Sequence, residues 1–438
     1  MLRLLMLLCF ISISGLVFSQ EQLTLEQAIA TALKNNYDIR LVRADSSIYG
    51  SENELAWGAF LPQLTGSVNK VWNQNNQRQQ LADGSKRELD NAKSSNLTGS
   101  VGINWIIFDG LRMFATRQKV QELVKLGELN VKNQVGNTVA AVINNYYNVV
   151  QSKQQLKAVE EQMSISEERV KLADKKLSVG LGSKPELLQA RVDLNAQKAA
   201  QLQQRTLIAQ LSENLNQVMG QPISTTTYVV ADSIPLNLDL QYGPLSLNLV
   251  ETNPFLQALR KNVDIADLTV RERKGERWPI ISFNSAYNYS RLNNRAVVNP
   301  FTPLFSQNNG FNYGFGASIP ILNNFVARRN LRLAQIDVRV QQLSYENQKS
   351  IIDVDVSNTF KDYEYQKSAL ALEEENINLA KENVNIALAR FRQGVSTYLE
   401  LREAQISLAD AYNRLIAARY NTKLAETELL RLRGDLIR

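Results

Sequence analysis

The sequence predicts a mainly α-helical chain with a transmembrane β-barrel portion, built from a helix-strand-strand-helix unit written twice. Three observations carry that expectation. Leu156, Met163, Val170 and Leu177 recur at every seventh residue, and Leu370, Ile377, Val384 and Phe391 do so again at one fixed offset. A second row runs beside each, Ala158, Ile165 and Leu172 in one copy and Leu372, Leu379 and Ile386 in the other. Rows displaced by two residues lie about 200° apart around a helix, so each helix needs a neighbour on both flanks, as in a wall or tube of helices. Each copy also holds two segments that alternate with period two, and the chain opens on an export signal.

That opening, residues 1–19, has one basic residue, an apolar run and a small-residue exit at Ser19. It reads as a secretory signal peptide, too short to span a bilayer. Cys9, the one cysteine, lies inside the run behind Leu8, where a lipoprotein site would want a small residue, so no lipid anchor is expected. The chain has no histidine. These two absences remove Ser-His-Asp and Cys-His catalysis, zinc sites built on His or Cys, and the usual haem and iron-sulfur ligation. No phosphate-binding or dinucleotide glycine motif is present, so no cofactor or metal is expected. The net charge of +6 is spread among interspersed acids and bases, which describes a solvated surface and not a nucleic-acid face.

The first repeat is expected over residues 20–220, with strands at about 62–73 and 97–108 and a helical hairpin over 111–218. Leu64, Gly66, Val68 and Trp72 alternate with Thr65, Ser67, Asn69 and Asn73, while Lys70 and Val71 break the pattern. Leu97, Gly99, Val101, Ile103, Trp105 and Ile107 stand opposite Thr98, Ser100, Gly102 and Asn104. The second repeat, residues 246–438, places strands at about 279–290 and 311–321 and a hairpin over 325–433. There Ile281, Phe283, Tyr287 and Tyr289, then Phe311, Tyr313, Phe315, Ala317 and Ile319, make the apolar face. Alternation alone fits a soluble antiparallel sheet equally well. Aromatic content, export and segments of about ten residues favour a barrel with a wet lumen. Four strands cannot close, since about eight are the minimum, so the chain must oligomerise, and three chains would supply twelve strands. Trp72, Trp105, Tyr287 and Tyr313 are read as a girdle at the lipid interface in preference to plain sheet packing.

Polar residues 73–96 and 290–310 read as exposed outer loops. Pro62 and Pro279 end the incoming helices, and Asp109-Gly110 and Asn323-Asn324 re-aim the chain after the second strand of each pair. From Val326 to Arg392 there is neither Gly nor Pro, so a continuous helix of roughly 67 residues, about 100 Å long, is expected. Gly180 and Gly394 stand in register as left-handed helix ends, with Ser183 and Ser396 or Thr397 as caps of the returning helices. Residues 221–245, with Pro222, Pro235 and Pro244, form a linker or equatorial segment. A tube conducts, so its chemistry is sought where helices converge. Glu400 and Glu403 share one helical face just past the second tip, and rings of such carboxylates would make a cation-favouring constriction. The plainer alternative is two solvated glutamates on a charged helix. Glu186, the register mate of Glu400, is read as structural.

The opening Leu23-Thr-Leu-Glu-Gln-Ala-Ile-Ala-Thr-Ala-Leu-Lys-Asn35, the strand exit Phe108-Asp-Gly110, its equivalent Pro320-Ile-Leu-Asn323 and the tip Val179-Gly-Leu181, in this order, resemble the TolC-type outer-membrane efflux proteins. The resemblance implies a homotrimer whose twelve-stranded barrel sits in the lipid of a Gram-negative outer membrane and continues as an α-helical tube into the periplasm. It implies a periplasmic adaptor (membrane fusion) protein docked on Gly180-Leu181 and Gly394-Val395, an inner-membrane pump or secretion transporter, and an acidic entrance pair that falls on Glu400 and Glu403. Relatives often tie the closed tip with a tyrosine and an arginine where this chain has Phe391 and Ser396, so either another residue such as Arg392 or Lys184 closes the gate or the gate is looser than usual. The function implied is a passive exit duct for efflux, with a type I protein-secretion duct as the alternative. A periplasmic adaptor would need one hairpin and no aromatic strands. A carboxylate hydrolase has only its acids in favour.

Overall fold

The structure, a computed structural model, describes residues 23–222 and 229–437. The expected signal peptide, residues 1–19, lies outside the described residues. Helices α1 (Leu25–Asn35) and α2 (Tyr37–Leu55) lead through a 3-10 turn, Ala56–Phe60, into β1 (Gln63–Gln80) and β2 (Lys86–Phe108), and α3 (Arg112–Ser178) and α4 (Lys184–Met219) complete the first copy. Short helices α5 (Tyr242–Ser246) and α6 (Leu249–Thr252) follow. The order then repeats as α7 (Pro254–Gly275), β3 (Ile280–Asn294), β4 (Phe305–Ser318), α8 (Val326–Arg392) and α9 (Tyr398–Arg433). The outgoing helices α3 and α8 have 67 residues each and the returning α4 and α9 have 36 each, so the duplication reaches the element lengths. Among the described residues no helix is long and apolar enough to cross a membrane.

The chain divides into two compact units, and neither is a sequence repeat. One gathers the residues up to Ser46 with Gly127–Ala258 and Tyr345–Arg438; the other joins Ser47–Leu126 to Leu259–Ser344. The boundaries cross the long helices and not the 221–245 segment, because like elements of the two copies pack together: β2 pairs with β3, and the two hairpin tips share one apolar cluster.

In the unit that holds the sheet, the four strands run antiparallel in the order β1-β2-β3-β4. Residues paired across strands share a face, so the register can be read as rows. Leu64, Ile103, Ser285 and Tyr313 form one row; Gly66, Val101, Tyr287 and Phe311 the next; Val68, Gly99, Tyr289 and Asn309 the third. The alternate rows are small and polar: Thr65, Gly102, Ala286 and Asn312, then Ser67, Ser100, Asn288 and Gly310. Side-chain hydrogen bonds run across this polar face, Ser67 to Ser100 at 2.8 Å and Asn104 to Asn284 at 2.8 Å. Aromatic contact covers the other, with Phe283 and Phe315 rings 5.2 Å apart.

The strands extend past the bounds that alternation suggests. Most of 73–96, expected as an outer loop, is a continuation of β1 and β2 closed by a short turn in which Ser85 donates to Asp83 and Gly84 takes φ 82°. The expected 290–310 loop shrinks likewise, since β3 runs to Asn294 and β4 starts at Phe305. Ladder hydrogen bonds need no apolar face. Where water wets both sides, polar pairs such as Arg78 and Glu88, 3.8 Å apart, satisfy the ribbon and the period-two signal vanishes. At the other end of the strands Gly110 closes against the end of α7: an added Cβ there would stand 2.4 Å from the Gly275 carbonyl oxygen.

In the other unit, Ala28 and Ala32 of α1 pack with Val142, Val149 and Val150 of α3 and Leu215 and Met219 of α4. Burying each of the larger side chains contributes about 1.5–3 kcal/mol. The joining segment is laid onto these helices by tyrosines. The Tyr146 hydroxyl donates to Leu23 and accepts from the Ala231 amide, and the Tyr363 hydroxyl donates to the Asn237 carbonyl. Of the expected equatorial segment 221–245, the described part holds one isolated bridge at Val229 and the start of α5, and residues 223–228 lie outside the described residues.

Candidate functional site at the hairpin tips

Both hairpins turn by the same chemistry. In the first, Gly180 adopts φ 75°, its amide donates to Leu177, and the Leu181 amide reaches back to the Lys176 carbonyl. In the second, Gly394 adopts φ 76°, its amide donates to Phe391, and the Val395 amide bonds the Arg390 carbonyl. These are Schellman closures, and the positive φ is the reason for glycine. The returning helices are capped by Ser183, whose backbone amide bonds Glu186 in a capping box, and by Thr397, whose hydroxyl accepts from the Glu400 amide. Glu186 is therefore engaged in its own helix start. Leu181 (82% exposed) and Val395 (66%) project from the turns with nothing of their own chain covering them.

Beneath the turns the two hairpins share one core of Ala173, Leu187, Ala190, Phe391, Tyr398 and Leu401. Phe391, which has no hydroxyl to offer, is buried and lies under the Lys176 ammonium, which sits 3.8 Å from the ring centroid and also donates to the Phe391 carbonyl. Ser396 is buried too, its hydroxyl donating to the Ala387 carbonyl. Arg392 pairs with Glu168 across the hairpins, whereas Lys184 is exposed at the head of α4.

The main polar tie lies one turn deeper. Arg169, only 2% exposed, donates to Asp193 and to Gln405 at 2.7 Å each and stacks on the Tyr398 ring 4.9 Å away. The Tyr398 hydroxyl donates to Asp193 at 2.6 Å, and Arg402 approaches the same carboxylate at 3.4 Å. Burial alone would push the Asp193 carboxyl up, but the Tyr398 hydroxyl, the Gln189 amide and the two guanidinium groups outweigh it and hold the carboxyl below its ordinary range. Burial, and then the bond to this carboxylate, push Tyr398 up to about 12, so its hydroxyl stays a donor at any physiological pH. This network joins α3 and α4 of the first hairpin to α9 of the second.

Glu400 and Glu403 are both exposed on the first turns of α9, and among the described residues neither has a cationic partner. Arg402, the base between them, is turned to Asp193. The sheet rows separate the four expected girdle residues. Trp105 shares a row with Phe283 and Phe315 near the helical end, and its indole donates to the Phe60 carbonyl. Trp72 lies ten residues further along the sheet, about 33 Å along the strands. Tyr313 and Tyr287 fall between these two rows, level with Ile103 and Val101 of β2.

Sequence reasoning passed over Arg169, Asp193 and Tyr398. The signal available was asymmetry: at the offset that aligns the copies, these positions face Asn383, Ser407 and Lys184. The tie is built where the duplication fails.

The comparisons with known proteins agree across the chain. The family model described as outer membrane efflux protein matches residues 28–221 and 245–435. The outer membrane efflux protein BepC of Brucella suis is 23% identical over 419 residues, covering 94% of this chain and 86% of its own. Among solved structures, the CmeC outer membrane channel of Campylobacter jejuni superposes with a TM-score of 0.77 at 14% identity, over 96% of this chain and 90% of that one. The open state of the MtrE outer membrane channel of Neisseria gonorrhoeae superposes with a TM-score of 0.73 at 17% identity, over 94% and 89%.

Proposed function

Because the chain belongs to the outer membrane efflux protein family, we propose that it is the passive outer-membrane exit duct of a tripartite system, working as a homotrimer without chemistry of its own. The observation that supports this most is the segregation of the sheet into an apolar and a polar face with β1 and β4 left as open edges. In lipid an open edge costs several kcal/mol for each unpaired backbone group, and pairing β4 of one chain with β1 of the next removes both edges. Trp105 and Trp72 then mark the two interfaces. Their separation of about 33 Å along strands tilted by roughly 45° spans close to the ~25 Å height of an outer-membrane apolar band. Lys70 over the Trp72 ring and Arg291 over the Phe305 ring support this reading, since cations and aromatic rings suit the edge of such a band.

Substrate would arrive from an inner-membrane transporter through a periplasmic adaptor seated on the two tips. The exposed Leu181 and Val395 supply apolar knobs for it, and the Schellman turns fix their direction. Gly180→Val with Gly394→Val is expected to abolish export while leaving membrane-inserted oligomers intact, since each glycine's missing Cβ faces open space and only the turn is strained. Export that persists at the parental level in a drug-accumulation assay rules out docking at the tips.

Glu400 and Glu403 serve as the entrance filter. Up to about six carboxylates from three chains converge there, so the channel should prefer cations and be blocked by multivalent cations from the periplasmic side in a planar bilayer. Glu400→Gln with Glu403→Gln should weaken both properties and leave stability nearly unchanged, because exposed unpaired charges contribute little to folding. An unaltered reversal potential in that variant places the filter elsewhere.

A further inference from the structure

The apolar face of the sheet changes character toward the hairpin turns. From the row of Trp105 to the row of Val68 it carries no charged side chain. Lys70 and Arg291 then share a row, Trp72, Ser95, Asn293 and Phe305 form the next, and Gln74 and Lys93 pair in the third. Arg295 joins that third row, its amide bonding the Lys93 carbonyl at 2.9 Å. At the same level the polar face holds no charge, as in the row of Asn69, Thr98, Ser290 and Asn308. Solvation alone gives four cations no reason to choose one face. Lys and Arg on a lipid-facing surface are costly at the bilayer midplane and nearly free at its interface, so a face turned to lipid admits them only at its edge.

Lys93 and Arg295 line a cavity of about 450 Å³ beside Trp72, together with Gln74, Ser95 and Asn293 and without an acid. Among the described residues the one ion pair within the sheet joins Arg78 to Glu88 at 3.8 Å, so none of the four cations has a carboxylate of its own. Asp90, in the bulge beyond Lys93, leaves the surplus positive. β4, which would lie beside β1 in an assembled barrel, has no charged residue, so a neighbouring chain brings no acid either. The cations stand on three adjacent strands and span about 13 Å along them, a spacing that suits a headgroup with more than one phosphate. We propose that this patch binds the phosphorylated headgroup of an outer-leaflet lipid, with Lys93 and Arg295 on phosphate, Gln74 and Asn293 as further donors, and Trp72 beside the acyl chains. A lipid and not free phosphate is the occupant, because the patch is continuous with the apolar face. The inference rests on the duct reading, which turns that face to lipid.

The test uses the full chain, purified as delipidated oligomers and followed by native mass measurement. Diphosphoryl lipid A should bind saturably and monophosphoryl lipid A about tenfold more weakly. Lys93→Gln with Arg295→Gln should lower the affinity for diphosphoryl lipid A at least tenfold. Lys157→Gln with Lys171→Gln removes the same charge from exposed positions of α3 and should leave it unchanged. Equal binding by the two double variants, equal affinity for the two lipids, or displacement of the lipid by inorganic phosphate at matched ionic strength overturns the proposal. If Lys93→Gln with Arg295→Gln fails to assemble, the comparison of the two lipids on the unaltered protein decides. Insertion into vesicles is read separately: trimers that insert without headgroup preference overturn this inference alone, whereas a chain that neither trimerises nor inserts overturns the duct reading with it.

Discussion

Asp193→Ala is expected to raise the resting conductance of the reconstituted channel severalfold and to lower stability by roughly 3–5 kcal/mol, the cost of leaving a buried guanidinium unpaired. Asp193 is the node where Arg169, Tyr398 and Arg402 meet, and without it α9 loses its polar hold on α3 and α4. Tyr398→Phe removes a single hydrogen bond and should do less, about 1 kcal/mol with a smaller rise in current. The pH dependence follows from the sign of the Asp193 shift. Its carboxyl is depressed, so the contribution is complete above the ordinary carboxylate range and is lost only as pH falls through the depressed value. Bilayer current should therefore be flat across neutral and mildly acidic pH and rise only in strong acid, and Asp193→Asn should remove that acid limb. A variant that loses stability while its current stays at the parental level would make the network structural support with no part in closure.

Assembly offers the second large effect. The protein in detergent should run as a trimer, with a mass close to three times that of one chain of at most 49.4 kDa. The two sheet faces make the result specific. Val101 lies in the middle of the apolar rows and Ser100 beside it on the polar ones. Val101→Arg should cost about 2–4 kcal/mol in the membrane and sharply lower the yield of inserted trimer. Ser100→Arg should assemble normally and change only ion selectivity. Equal tolerance of both, or a conducting monomer by native mass measurement, would refute the barrel.

Fold class, duplication and turn positions were legible in the chain because each rests on local rules. The seventh-residue rows require long helices flanked on two sides, Gly180 and Gly394 require left-handed ends, and alternation around Leu64, Val101, Tyr287 and Phe311 requires a two-faced sheet. Other features were decided only by tertiary structure. Strand ends were invisible because backbone pairing continues into segments wetted on both faces, where no pattern is imposed. The order of Trp105, Tyr313, Tyr287 and Trp72 along the sheet needed the register across four strands. Phe391 and Ser396, which look in sequence like a missing tie, are core residues under the tips. The buried polar network beneath them is made instead by Arg169, Asp193 and Tyr398, which lie on three helices, with Asp193 and Tyr398 205 residues apart. A local pattern reports what each residue demands of its neighbours along the chain. A buried charge network depends on which distant groups arrive within about 3 Å of one another, and that is settled only by packing.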